Sequence, residues 1–277
     1  MTILVTGATG QVGRLVTDQL VRGGEKVRAL VPDWDDHRAV LPSGVQVCPG
    51  DLTAPETLRE ALAGVDRLYL FPIAATAPEV AALARQAGVR HVVVLSAAMV
   101  TDGVDTSYHV AVERAVEAAG LSWTHVRPSD FALNTVDLWA ESIRTEATVR
   151  VAYPDVPAVP VHEADIASVA VAALLDERHA GRAYTVTGPT AVSQREQARQ
   201  IGLALGRDIR VEELTPEQAR ADMVRRYIPE ENADHILNYL ARWAVRPPTP
   251  LPTVREVTGR AGRDFARWAR DHVADFR

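Results

Sequence analysis

The chain has 277 residues, 47% of them hydrophobic, enough to bury one large α/β core or a domain with an inserted cap. Its net charge of −6 comes without any basic block, so neither nucleic acid nor an anionic membrane surface is an expected partner. The lone cysteine, Cys48, excludes disulfide and cysteine-metal frameworks. No apolar run reaches membrane-spanning length, and the first strand begins too early to leave room for a signal peptide, so a cytoplasmic protein is expected.

The first thirteen residues, MTILVTGATGQVG, carry the strongest signal in the chain. Ile3, Leu4 and Val5 are strand formers, and RLVTDQLVRGG beyond the glycines reads as a helix. Strand, glycine-rich turn and helix form the context that a dinucleotide-binding turn requires. In that reading Gly7 makes the tight turn, Gly10 clears space for a pyrophosphate, and Gly13 lets the helix pack closely. The helix N-terminus then faces the phosphates. Replacing Gly10 or Gly13 by Glu is expected to abolish cofactor binding while sparing the fold.

KVRALV is the second strand, ending at Pro32 and followed by Asp33, Trp34, Asp35 and Asp36. VQVCPGDL is the third and carries Cys48 as a core thiol. Thr53-Ala54-Pro55-Glu56 has the pattern of a capping box opening a helix through Ala63. DRLYLFP comes next as strand four, and Thr76-Ala77-Pro78-Glu79 repeats the capping pattern before a helix through Ala87. HVVVLS is a fifth strand, apolar enough to be covered on both faces. A helix from about Ser107 to Ala119 leads to the strand LSWTHVRP. This alternation predicts right-handed βαβ units in a doubly wound parallel sheet.

Beyond Pro128 the rhythm weakens. SDFALNTVDLWAESIR reads as a helix, TVRVAYPDVPAVPVHE as extended and proline-broken chain. Asp165 is the expected N-cap of IASVAVAALLDE, and RAYTVTG the seventh strand. Short helices with a small strand, IRVEEL, fill the region from Ser193, RPPTPLPT is a stiff connector, and a helix closes the chain. The expected division is a dinucleotide-binding part over 1–128 and about 165–187, with a mostly helical cap over 129–164 and 188–277.

Several segments together resemble the NmrA-like and NAD(P)H:quinone-reductase-like proteins of the atypical short-chain dehydrogenase/reductase group. They are TGATGQVG, GDLTAPETL, YHVAVERAVEAAGLSWTHVRPSDFALN, HEADIASVAVAALL and RAYTVTGP. The resemblance implies an N-terminal Rossmann domain, a smaller cap closing over the nicotinamide, and NAD(P)H as cofactor. Carried over by position, Gly7, Thr9, Gly10, Gln11, Val12 and Gly13 form the phosphate turn. Asp51 and Leu52 lie beside the adenine, Phe71 and Pro72 beside the riboses, and Ser96 at the nicotinamide. His109 stands where relatives place a lysine, four residues before Glu113, and the expected contact there is a hydrogen bond to the cofactor ribose or the substrate. Asp105 stands where they place a catalytic tyrosine, and Tyr108 is one residue out of register. For Phe131 and Asn134, substrate contact and plain packing are both open; so are adenine contact and packing for Trp34.

Lys26 is the only lysine and is far in sequence from every tyrosine, so no Tyr-x-x-x-Lys pair exists. Such a pair normally protonates the alkoxide formed in carbonyl reduction. Quinone reduction demands less, because the hydroquinone anion is a weak base. The leading expectation is therefore NAD(P)H-dependent reduction of a quinone or other conjugated, electron-poor small molecule, with His109, Tyr108 and Ser96 as candidate catalytic residues. A redox sensor that binds the dinucleotide without turnover, and a tailoring reductase or isomerase of secondary metabolism, are the alternatives. No metal is expected, since no histidine pair has zinc-helix spacing. A homo-oligomer is compatible with the sequence. Anionic Asp33, together with Pro32 in place of a phosphate-pairing Arg, leans the cofactor towards NADH, although Arg14 and Arg38 could still reach a 2′-phosphate.

Overall fold

The computed structural model describes residues 1–32, 41–226 and 228–277. In chain order the regular elements are β1 (Thr2–Val5), α1 (Gln11–Arg22), β2 (Lys26–Val31), β3 (Gln46–Pro49), α2 (Arg59–Leu62), β4 (Arg67–Leu70), α3 (Ala77–Gln86), β5 (His91–Leu95), α4 (Ala98–Thr101), α5 (His109–Ala118) and β6 (Ser122–Pro128). Next come α6 (Asn134–Glu146), β7 (Thr148–Val151), β8 (Pro157–Ala158), α7 (Glu163–Leu175), β9 (Arg182–Val186), β10 (Val192–Ser193), α8 (Gln194–Leu205), β11 (Arg210–Glu213), α9 (Pro216–Arg225), α10 (Glu230–Val245), α11 (Thr253–Thr258) and α12 (Phe265–Asp271). The chain divides into two compact units, one of Met1–Ser129, Glu163–Val186 and Thr253–Arg260, the other of Asp130–His162, Thr187–Pro252 and Ala261–Arg277. Thr253–Arg260 thus belongs with the sheet, although sequence alone groups it with the cap. Among the described residues no helix is long and apolar enough to cross a membrane.

The first unit holds a seven-stranded sheet of order β3-β2-β1-β4-β5-β6-β9, with every pairing parallel. This is the doubly wound α/β fold, in which the strand order reverses between β1 and β4. The middle of the sheet lies deep in the core: all of β5 is buried, as are Ile3, Leu4 and Val5 of β1. One face packs on α2, α3 and α5 through Leu4, Leu30, Leu68, Val92, Val94, Val112 and Val116. Cys48 packs half-buried against this cluster. On α1 the buried residues Val12, Val16 and Leu20 recur at helical spacing, and that helix packs on α7. Gln19 ties the two, donating to the Ala164 carbonyl and accepting from Ser168.

Three local expectations of helix capping fail. Thr53 caps nothing; a 3₁₀ turn over Pro55–Leu58 precedes α2, and its N-cap, Ala54, has no side-chain acceptor. Thr76 sits at the N-cap of α3 but turns its hydroxyl to the Leu52 carbonyl at 2.7 Å. Asp165 is not an N-cap: α7 begins at Glu163, and Asp165 is buried in its first turn.

In the second unit, β11 pairs with β7 in parallel and β10 with β8 antiparallel. Helices dominate. Their core gathers Trp139, Ile143, Val149, Ile201, Phe265 and Phe276 around Trp268, which is fully buried. Trp268 stacks on the His272 ring at 4.6 Å.

His91 heads β5, 4% exposed, with its ring nitrogens 2.9 Å from Ser122 Oγ and 3.2 Å from Thr124 Oγ1. Burial, helped by the Arg67 guanidinium, pushes the imidazole from 6.5 down to about 4. The folded protein keeps this ring neutral where the unfolded chain charges it. Stability from this site is therefore complete above about pH 6.5 and is lost as pH falls towards 4. Denaturation of native protein and His91→Gln at neutral pH and at about pH 5 should show the native form losing more, by on the order of 1–2 kcal/mol. Equal losses would show that His91 does not titrate in this way.

Candidate functional site

In parallel sheets ligands bind outside the carboxyl ends of the strands, where the strand order reverses. Here that place lies beyond Val5 and Leu70, the last residues of β1 and β4. The chain leaves β1 through Gly7, at φ +59°, a backbone conformation that favours glycine. A Cβ on Gly7 would meet the Phe71 side chain at 3.1 Å. Gly10 donates its N–H to Gly7 O at 3.0 Å and then caps α1 with no side chain of its own. The first-turn N–H groups, those of Gln11, Val12 and Gly13, have no acceptor within their helix. They offer an anion the positive end of the helix dipole.

Gly13 leaves no room for a side chain. A Cβ there would stand 2.1 Å from Gly7 O and 2.7 Å from Gly7 C, so its close packing is against the turn itself. At Gly10 the added Cβ would meet only Gly7 O, at 3.3 Å. Gly10 is exposed, Gln11 is exposed, Thr9 is half-buried and Val12 is buried, leaving Val12 only its backbone to offer. The cradle thus fits a pyrophosphate: a glycine-lined turn, free donors and no acidic side chain in the first helical turn.

Thr6 fixes the neighbouring strand end, donating its hydroxyl to Tyr69 O and accepting from the Phe71 N–H at 2.8 Å. Phe71 then lies 40% exposed beside Gly7, while Pro72 is buried. The Pro72 carbonyl accepts the Tyr108 hydroxyl at 3.0 Å. The Tyr108 ring, 47% exposed, meets the His109 ring edge-on with centroids 4.9 Å apart. Gly7, Phe71, Pro72, Tyr108 and His109 therefore form one continuous run along the carboxyl edge.

Asp105 is the residue whose importance sequence reasoning missed. Its side chain is 3% exposed and receives the N–H groups of Ser107, Tyr108 and His109. It also lies 2.6 Å from His109 Nδ1. Burial alone pushes this carboxyl up, but the His109 N–H, the His109 ring and the Tyr108 N–H outweigh it and hold the group at about 2. The i, i+4 spacing of Asp105 and His109 was the available signal.

Ser96 is 3% exposed, and its hydroxyl donates to Glu113 Oε1 at 2.5 Å. Glu113 is itself buried and is clasped by Arg127 through both oxygens, at 2.9 and 2.6 Å. Burial raises the Glu113 carboxyl, yet the bonds from Arg127 and Ser96 win and hold it below its ordinary value. Ser96 thus joins β5 to α5 and β6, with its proton committed to Glu113. Asp51 accepts the Thr53 N–H at 2.8 Å and so caps the local turn. Leu52 is anchored by Thr76. Asp33, like Trp34, Asp35, Asp36 and Arg38, lies outside the described residues.

In the second unit Phe131 is half-buried and bridges to Val161 through its backbone. Asn134 is exposed at the start of α6 and donates to Asp130 Oδ1 at 3.1 Å. Burial pushes the Asp130 carboxyl up to about 6, against the pull of Asn134. A groove between α8 and β11 carries three arginines, but Arg195 pairs with Asp155, Arg199 with Glu196 and Arg207 with the Ile143 carbonyl.

Residues 1–244 match the model of the NmrA-like family. The chain belongs to the NmrA-like family. A (4-alkanoyl-5-oxo-2,5-dihydrofuran-3-yl)methyl phosphate reductase of Streptomyces griseus is 40% identical, the match covering 99% of each chain. An NAD(P)H azoreductase of Xenophilus azovorans is 34% identical, again over 99% of both. Among solved structures, the Citrobacter sp. triphenylmethane reductase complexed with NADP(H) superposes with a TM-score of 0.83 at 20% identity, covering 98% of this chain and 99% of that one. The NADPH-dependent quinone oxidoreductase of Escherichia coli gives 0.82 at 20%, covering 99% and 100%. These two share the fold. With reductases as full-length relatives, the chain is an NAD(P)H-binding oxidoreductase.

The two glycines separate binding from folding. Gly10→Glu should remove NAD(P)H binding in a fluorescence titration while leaving the melting temperature near native. Gly13→Glu should lower the melting temperature as well, because its Cβ strikes backbone rather than a movable side chain. Unchanged NAD(P)H affinity in Gly10→Glu would remove the phosphate turn from the site.

Proposed function

We propose that the chain transfers reducing equivalents from NAD(P)H to a conjugated, electron-poor small molecule, a quinone first of all. The observation that carries this reading is the unbroken run from the phosphate turn past two exposed aromatic rings, Phe71 and Tyr108, to His109. In this reading the N–H groups of the first turn of α1 hold the pyrophosphate, and Gly10 gives it room. Asp51 and Leu52 flank the adenine, Phe71 and Pro72 the riboses. When bound, the nicotinamide supplies hydride. Phe71 and Tyr108 offer flat apolar surface against which a planar acceptor stacks, and shield it from water.

The tyrosine hydroxyl supports an acceptor that needs no tyrosinate. Tyr108 donates to Pro72 O, and the only lysine lies at the opposite, amino end of β2. The relatives' names fit the same electronic class: an azo bond, and a dihydrofuranone whose ring alkene adjoins two carbonyls. Steady-state NAD(P)H oxidation against quinones, azo dyes and acyl-dihydrofuranones tests the reading. Turnover of at least one class supports it; tight NAD(P)H binding with no turnover on any would leave a dinucleotide-sensing role instead. Tyr108→Phe should lower quinone turnover less than tenfold, under about 1.4 kcal/mol of barrier. Loss of all activity at unchanged NAD(P)H affinity would make Tyr108 the acid and restore simple carbonyl reduction.

For the choice of cofactor we propose NADH. Pro32 and the acidic run Asp33, Asp35 and Asp36 lie just after β2, where a carboxylate accepts from a free ribose hydroxyl and repels a phosphate. NADH should bind more tightly than NADPH in direct titration. A tenfold preference for NADPH, about 1.4 kcal/mol, would overturn this and implicate Arg14 or Arg38.

A further inference from the structure

We propose that Asp105 and His109 are the proton-delivering pair of the reaction, His109 as the donor and Asp105 as the residue that positions it. The pair's role rests on the reading of the carboxyl edge as the place of hydride transfer. It takes a step further, because that reading assigns the proton to no residue.

The geometry is that of a carboxylate orienting an imidazole. Asp105 Oδ2 lies 2.6 Å from His109 Nδ1 and also accepts the His109 N–H at 2.8 Å. Its other oxygen takes the N–H groups of Ser107 and Tyr108. An ionised carboxylate only accepts, so the ring must present Nδ1–H to it. Nε2 is left without a hydrogen-bond partner among the described residues, on a side chain that is 23% exposed. The edge-on Tyr108 ring and the helical backbone behind it hold the imidazole in place. The same division of labour, a buried carboxylate on one ring nitrogen and the reacting group at the other, orients histidines in acyl-transfer enzymes.

The step balances in atoms and electrons. The acceptor's electrophilic atom takes a hydride, two electrons and one hydrogen nucleus. The π electron pair of the conjugated acceptor moves to the far end of the system. The atom at that end forms a bond to the Nε2 proton of the His109 ring in its doubly protonated, cationic form as the N–H bond breaks. His109 ends as neutral imidazole with Nδ1–H still on Asp105, and solvent water returns the Nε2 proton. The acceptor has gained two electrons and two hydrogens, and the dinucleotide is oxidised by two electrons.

This pair makes a distinction among acceptors that a mere ribose contact would not. A hydroquinone anion is a weak base and leaves without help. The nitrogen anion from an azo bond and the enolate from an unsaturated lactone are stronger bases and need a donor. His109 therefore matters most for the latter two, which extends the substrate class beyond quinones.

The test uses the full chain in native, His109→Gln and Asp105→Asn forms. Without cofactor, long-range nitrogen–proton NMR should show neutral His109 of the native protein as the Nδ1–H tautomer. Asp105→Asn keeps a helix-capping oxygen but should shift the ring towards Nε2–H. With NADH, His109→Gln should lower kcat for an azo dye or acyl-dihydrofuranone at least tenfold more than for a quinone, with NADH affinity within threefold of native. An Nε2–H tautomer in native protein would overturn the pairing. Equal losses on all acceptors with weakened NADH binding would make His109 a cofactor contact and overturn the proposal. A native protein that reduces no acceptor would overturn the functional reading and this step with it, whereas native turnover unaffected by His109→Gln would overturn the proton delivery alone.

Discussion

The Gly7 carbonyl oxygen is the point on which the first unit closes its ligand edge. It accepts the Gly10 N–H at 3.0 Å and leaves no room for a side chain at Gly13. Both contacts bring the start of α1 directly beyond the end of β1, so the helix dipole points at the reversal of strand order. Gly7 itself, turned to positive φ, accepts the Phe71 side chain against it. That contact starts the chain of neighbours reaching Tyr108 and His109. The phosphate cradle and the aromatic lining are thus set by one tight turn, and a methyl group at Gly13 would disturb both.

Legibility in the sequence tracked the range of the interaction. The parallel strands were readable because each is an apolar run that must be covered on both faces, as in HVVVL. The phosphate turn was readable because its constraint, the absence of side chains at Gly7, Gly10 and Gly13, is written in the residues themselves. A local capping pattern misleads where the competition is tertiary. Thr76 has the right spacing for a capping box, yet Leu52 offers it a carbonyl from 24 residues earlier. Nothing in a local pattern contains that alternative.

The same division runs through the candidate site. His109 could be placed from its position before Glu113, but its buried partner depends on a loop that folds Asp105 under the start of α5. Ser96 could be placed at the end of β5. Its partner required β6 as well, because Glu113 becomes tolerable in the interior only with Arg127 spread across both its oxygens. Removing either member would strand a charge beneath the helix that carries His109. The Ser96–Glu113–Arg127 cluster is therefore the floor on which the proposed donor stands.

The solitary lysine has a practical meaning outside catalysis. Lys26 is exposed at the first residue of β2, opposite Thr2 in the neighbouring strand, at the amino edge of a sheet whose strands all run the same way. The phosphate turn and the aromatic run lie at the other edge. Side-chain amine chemistry on this protein has a single address, so a surface or dye coupled there holds the molecule by the back of its sheet. Every tethered copy would present its ligand edge to solution, an orientation that proteins studded with lysines reach only by engineering.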